Sequence, residues 1–187
     1  MMDQKKIQEL IGRSQQEDAV AFSLLVSTFQ PLVFRLAFRL LCDEDEAKDM
    51  VQETFVKVWL ALGKYNGECR FSTWIYKITC NTCYDRLRSL YHSPLDNEAD
   101  YSVSVNISSD DNVELAVVNK QLRELILRYT DELSPRQRLI FTLRDIEELD
   151  VPEVQTITGL SAGIIKTTLY LARKNIRNKM NQIDAGL

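Results

Sequence analysis

The sequence is short of the residues that turn or break a chain. Six glycines and four prolines in 187 residues cannot punctuate many short strands, which argues against an all-β architecture. Histidine is nearly absent. His92 is the only one, so the commonest general base and metal ligand is missing from every other part of the chain. No phosphate-cradling glycine loop and no nucleophile–base arrangement is present, and the expectation is a protein that is not an enzyme and needs no metal, cofactor or small-molecule substrate. Of the four cysteines, Cys80 and Cys83 form a C-x-x-C. A structural zinc site needs four ligands, and Cys42 and Cys69 are not spaced to complete one, so all four read as reduced thiols. Apolar runs are also short of the roughly 20 residues of a membrane span. The N-terminal stretch MMDQKKIQELIGRSQQED is polar and lacks the apolar core of a signal peptide. These absences predict a cytoplasmic protein.

What is present is helical patterning. The chain is 45% hydrophobic and 27% charged, enough to form a core. A first helical block is predicted over about Asp3–Ser27, with Ile7, Leu10, Ile11, Phe22 and Leu25 inward, and a second after Pro31, whose fixed φ suits a first helical turn. A third follows an acidic cluster: EAKDMVQETFVKVWLAL places Ala47, Met50, Val51, Phe55, Val58 and Leu62 on one stripe and Asp49, Gln52, Glu53 and Val56 off it. The loop GKYNGECRFS interrupts the pattern before a fourth helix, TWIYKITCNTCYDRLRSLY. From Ser89 to Asn119 there is no Lys or Arg, and Asp96, Glu98, Asp100, Asp110, Asp111 and Glu114 are acidic. That composition reads as a flexible linker. Helices are then predicted to resume through ELAVVNKQLRELILRYTDEL and SPRQRLIFTLRDIEEL, the latter capped by Ser134 with Pro135 at its first position. The expected fold is all-α: two small helical domains, 1–91 and 114–187, joined by an acidic linker, 92–113.

The net charge of −4 hides an asymmetry. Between Asp43 and Glu53 six carboxylates face one Lys48, whereas from Leu160 to Leu187 five cations face one Asp184. Two partners of opposite charge are implied. The basic helix, LSAGIIKTTLYLARKNIRNKM, follows PEVQTIT across GLS. Gly159 can take the left-handed conformation that ends a helix, and Ser161 can cap the next one. Val154, Ile157 and Ile165 are placed to pack across the turn, as in a helix-turn-helix whose second helix enters a major groove. Gln155 stands where that motif usually has a small residue. An ordinary αα-hairpin fits the same spacing.

Three segments in order carry a resemblance. AFSLLVSTFQPLVFRLAFRLLCDEDEAKDMVQETFVKVW, FSTWIYKITCNTCYDRLR and LSPRQRLIFTLRDIEELDVPEVQTITGLSAGIIKTTLYLARKNIR resemble the polymerase-binding, promoter-melting and −35-recognition parts of a sigma-70 family sigma factor of the extracytoplasmic-function (ECF, group 4) type. The resemblance implies a partner, core RNA polymerase, whose largest-subunit clamp helices would dock on Asp49, Gln52, Glu53 and Val56. It implies melted −10 DNA held by Tyr65, Lys77, Ile78, Asn81, Arg86 and Arg88, with one extruded base under the Gly67 loop against Tyr65, Ile78 and Asn81. It implies −35 duplex read by Lys166, Thr167 and Tyr170 and held by Arg173, Lys174 and Arg177. Members often have arginine where this chain has Thr168 and Leu171. An anti-sigma factor, often membrane-anchored, is the further partner that the family implies. The rival readings are a self-sufficient helix-turn-helix regulator and an all-helical adaptor that binds only proteins.

Overall fold

The structure, a computed structural model, describes residues 3–91, 129–130 and 133–185, and among these there is no strand. Four helices form the N-terminal half: α1 (Gln4–Ser14), α2 (Ala19–Leu41), α3 (Glu44–Ala61) and α4 (Phe71–Tyr91). In the C-terminal half, α5 (Pro135–Phe141) widens into a π turn (Thr142–Ile146), and α6 (Val151–Thr158) and α7 (Ala162–Ala185) follow. The predicted linker, 92–113, and the helical stretch expected from 114 up to 128 lie outside the described residues.

Two boundaries differ from those predicted. The first block is broken at residues 15–18, where Glu17 has φ 64°. Asp18 caps the new helix, accepting from the N–H groups of Val20 and Ala21 at 3.0 Å each. The Ala21 amide, then Arg13, holds the Asp18 carboxyl below the usual carboxylate range. Nor does Pro31 begin a helix. It sits inside α2, where its missing N–H leaves only the Ser27 carbonyl without an intrahelical donor. Both residues are exposed, so water can take that role.

A third difference concerns hydropathy. By length and composition α2 is long and apolar enough to cross a membrane. Its inward face, including Ala21, Leu25, Val33, Leu36 and Leu40, is buried in the helical core. Short runs had concealed this because Ser, Thr and Gln are interspersed along it.

Cys42 ends α2 in the left-handed conformation, its N–H donating to the Phe38 carbonyl at 2.8 Å. Asp43 caps α3, and Glu44, Asp45 and Glu46 fill its first turn, the end at which the helix dipole favours negative charge.

The core has two parts. One joins α1, the N-terminal part of α2, α3 and the start of α4 through Leu25, Val33, Val58 and Ile75. The other crosses between the halves of the chain: Leu36, Leu40, Tyr76, Cys80 and Cys83 pack with Leu139, Ile140, Leu143, Val154, Ile157 and Ile165. The two helical units therefore share a core. Polar contacts join them as well. The Glu147 carboxylate accepts from the Arg39 guanidinium and from the Tyr76 hydroxyl, and its side chain is 7% exposed. Arg138 donates to the Leu40 carbonyl at 3.4 Å and to the Thr130 carbonyl at 2.9 Å. Burial, and then the Glu147 carboxylate, pushes the Tyr76 phenol up, so that it remains a donor.

All four cysteines are free thiols. Burial pushes Cys83 up to about 12 from an ordinary 9.0, and Cys80 well above that ordinary value. A thiol whose folded pKa is raised keeps its proton while the unfolded chain loses it. Stability should therefore be unaffected at neutral pH and fall as pH rises above about 9. At neutral pH iodoacetamide should reach Cys69 first, and Cys80 and Cys83 only after denaturant is added. Rapid modification of Cys80 in the folded protein would contradict this burial.

Candidate nucleic-acid interface

The predicted inward stripe of α3 is buried as expected, and Thr54 joins it. Asp49, Gln52, Glu53 and Val56 are exposed on the opposite side. Val56 is 59% exposed, and Leu60, one turn on, 76%. Leu60 was not anticipated, although its i+4 spacing from Val56 signals it. Glu53 is paired with Lys57 at 2.7 Å, whereas Asp49 interacts with Arg86 through charge alone. Acidic at its N-terminal end and apolar at its C-terminal end, the surface suits a partner helix with basic and apolar residues in the same order.

On α4 the sequence candidates separate. Lys77, Asn81 and Arg88 are exposed, and at 3.6 residues per turn they share one face. Ile78 borders it, half-buried. Arg86 lies on the other side of the helix. Its guanidinium forms a fork on the Glu46 carboxylate of α3, at 2.6 and 2.5 Å, and this pairing raises its pKa further. Arg86 thus ties α4 to the start of α3. Tyr65 is 8% exposed, its hydroxyl donating to the Cys69 carbonyl at 2.7 Å and its ring against Phe71 and Trp74 with centroids 5.2 Å away in each case. The aromatic group is a packed platform for the loop. Gly67, at φ +79°, supplies the left-handed residue that the loop's reversal requires.

The C-terminal turn has the geometry that its residues predict. Asp150 caps α6 in a reciprocal box with Glu153, at 2.7 and 2.9 Å, and Ser134 does the same for α5 with Gln137. Gly159 ends α6 at φ +71°, its N–H donating to the Gln155 carbonyl at 2.8 Å. Ser161 accepts from the Ile164 N–H at 3.4 Å. Gly159→Ala would add no clash but would force an L-residue into the left-handed region. It should cost about 1–2 kcal/mol in urea unfolding; no loss would show that the turn relaxes freely.

On α7, Ile165, Leu169 and Ala172 are buried, while Met180 near its C-terminal end is exposed. Lys166, Thr167, Tyr170, Lys174 and Arg177 are all exposed, with Tyr170 at 67%. Arg173 is exposed too, but forms a fork on Asp145 of the π turn, at 2.8 and 2.6 Å, which raises its pKa. Its role as a phosphate contact would require it to leave that partner. Thr168 is 9% exposed, so an arginine there would occupy the packed face, and its absence reflects packing. Leu171 and Ile164 are exposed beside the cations and give this helix an apolar component. The C-terminal half of α7 also borders an open groove of about 350 Å³ against Phe141, lined by Arg173, Ile176 and Arg177.

Comparison with known proteins covers the same parts of the chain. The family model for sigma-70 region 2 matches residues 25–92, and that for sigma-70 region 4 matches 123–176. The ECF RNA polymerase sigma-E factors of Salmonella typhimurium and Escherichia coli are each 30% identical, over 98% of this chain and 98% of theirs. The RNA polymerase sigma-H factor of Pseudomonas aeruginosa is 29% identical over 94% of each chain. Among solved structures, CnrH in complex with the cytosolic domain of CnrY superimposes with a TM-score of 0.66 at 20% identity, covering 96% of this chain and 99% of that one. The sigma factor RpoE in complex with the anti-sigma factor NepR from Bartonella quintana gives 0.59 at 22%, covering 86% and 96%. With both sigma-70 regions present in order and relatives aligned end to end, the chain belongs to the sigma-70 family as an ECF sigma factor.

Proposed function

We propose that this chain performs its family's task, directing core RNA polymerase to promoters, through three separate surfaces. The exposed face of α3 at Asp49, Gln52, Glu53 and Val56, extended by Leu60, docks on the clamp helices of the largest subunit. The α4 face of Lys77, Asn81 and Arg88, bordered by Ile78, takes melted −10 DNA, with the loop held in place by the Tyr65 platform. The start of α7, at Lys166, Thr167 and Tyr170, reads −35 duplex, while Lys174 and Arg177 hold its backbone. Arg86 and Arg173 support these surfaces through Glu46 and Asp145. The chain itself carries out no covalent step. The observation that carries the reading is the exposure of Lys166, Thr167 and Tyr170 on a capped helix directly after a left-handed turn. Such a helix can enter a major groove without rearrangement.

A self-sufficient DNA-binding regulator is less well supported, because it has no use for an acidic and apolar α3 face kept exposed. Placement in the cytoplasm follows from a polymerase partner. An anti-sigma factor is a further proposed partner, by likeness to the solved complex of RpoE with the anti-sigma factor NepR. The test is transcription from a library of upstream DNA regions by core polymerase with and without the chain. New start sites are expected only with it. No chain-dependent start site, together with no binding to core, would defeat the reading.

A further inference from the structure

The outward side of α7 has two edges of different chemistry. By helical periodicity, Ile164, Thr167 and Leu171 follow one another along one edge. Lys166, Tyr170, Arg173 and Arg177 follow one another along the other. All seven are exposed, Ile164 at 44% and Leu171 at 42%. Between the edges lie Lys174 and Gly163. A Cβ built on Gly163 meets nothing within 4 Å, and its missing side chain lets the helix backbone come close to a surface.

A single exposed leucine needs no explanation. Two aliphatic groups on one edge, with a threonine methyl group between them and cations alongside, match one surface well. That surface is the floor of a major groove, with phosphates on its rim. Donors for guanine are scarce on this helix. Lys166 is the one cation among residues 162–172, and the Arg173 guanidinium is held by Asp145. Bidentate contact to guanine O6 and N7 takes arginine or lysine, so α7 can make few such contacts. Apolar contact has a different target. In the major groove only thymine presents a methyl group, at C5.

We infer that Ile164 and Leu171 are specificity-determining residues that select thymine in the −35 duplex by packing on its C5 methyl group. The seven positions from one to the other span about 10 Å at about 1.5 Å each. That is about three base-pair steps at roughly 3.4 Å, so two thymines about three positions apart are expected. Lys174 and Arg177 meanwhile neutralise phosphates, which positions the helix without reading sequence. The inference rests on the reading of α7 as the −35 helix, and its test separates the two.

Holoenzyme reconstituted from core polymerase and the full chain selects from linear duplexes carrying a randomised upstream window, and the bound pool is sequenced. The enriched duplex is resynthesised with deoxyuridine in place of each thymidine in turn, which removes only the methyl group. For the wild type, two upstream replacements should each weaken binding about fourfold, the transfer value of one methyl-sized group. Ile164→Ala should abolish the penalty at one of these positions and Leu171→Ala at the other, because each variant has already lost the contact. Lys174→Ala should weaken binding to all duplexes alike, lower its salt dependence and keep both penalties. Circular dichroism checks the fold of each variant, and binding to core polymerase is measured in parallel. The uracil penalty in the wild type needs no variant at all. Upstream positions without thymine, or a wild type indifferent to uracil, would overturn the inference and leave the sigma reading standing. So would penalties that persist in both alanine variants. Alanine variants that select the same duplex but bind core polymerase more weakly would assign the edge to a protein contact instead. Absence of any enriched duplex would overturn the inference together with the reading of α7 as a DNA-binding helix.

Discussion

Replacing Glu147 by alanine is expected to part the two halves of the molecule. Arg39 and Tyr76 converge on this one carboxylate, and Arg39 already has its Nε buried without a partner. Removing the acceptor would leave a guanidinium and a phenol inside the interface with nothing to receive their hydrogens. Truncating one member of a buried charged pair costs roughly 3–5 kcal/mol, and partial exposure of Arg39 places the expected loss at the lower end. The apolar contacts of Val154 and Ile157 in the shared core remain and oppose separation, so the expected result is a larger population in which the halves have parted. Small-angle scattering should show a larger radius of gyration for Glu147→Ala. Tyr76→Phe, which removes one hydroxyl, should act in the same direction by about 1 kcal/mol. An unchanged radius for Glu147→Ala would mean that the apolar contacts suffice alone.

The consequence reaches function. Elements named −10 and −35 lie about 25 base pairs apart, or about 85 Å of duplex at 3.4 Å each. Two units that share one hydrophobic core cannot reach both. The chain between them, residues 92–128, could stretch to roughly 120 Å at about 3.3 Å per residue, so promoter engagement requires the packed halves to separate. A variant with Glu147 replaced should therefore assemble with core polymerase at least as readily as the wild type.

Reversing charge on α3 should have the other large effect. Asp49 is exposed and sits beside exposed Val56 and Leu60 on the face assigned to polymerase. Asp49→Arg would set a cation where a basic partner surface is expected, and like-charge contact across an interface costs several kcal/mol. Binding to core polymerase should fall by roughly a hundredfold, read by competition against a labelled wild-type chain. Urea stability should change by no more than about 1 kcal/mol, because the tertiary interaction lost is only the attraction between exposed Asp49 and the Arg86 guanidinium. Leu60→Ala should weaken binding more modestly and also spare the fold. Equal binding by Asp49→Arg and wild type would remove α3 from the polymerase interface.

The contrast between what could be read and what could not is clearest in the charged residues. Arg86 and Arg173 look in the sequence like their neighbours on basic faces, and both were assigned to DNA. Each instead forks onto a carboxylate far along the chain, Glu46 and Asp145 respectively. Thr168 looks like a missing arginine and is a buried packing residue. The exposed apolar groups Leu60 and Ile164 had no signal strong enough to stand out beside the charges.

Local physics accounts for everything that was legible. The α3 stripe, the caps at Ser134 and Ser161, the left-handed Gly159 and the exposed face of α7 depend on residues within about one or two helical turns of each other, so periodicity and capping rules determine them from sequence. The shared core, the meeting of Arg39 and Tyr76 on Glu147 and the capture of Arg86 join residues tens of positions apart. Which carboxylate an arginine finds, and which apolar face covers another, depends on how the helices cross. That was decided only when the chain packed.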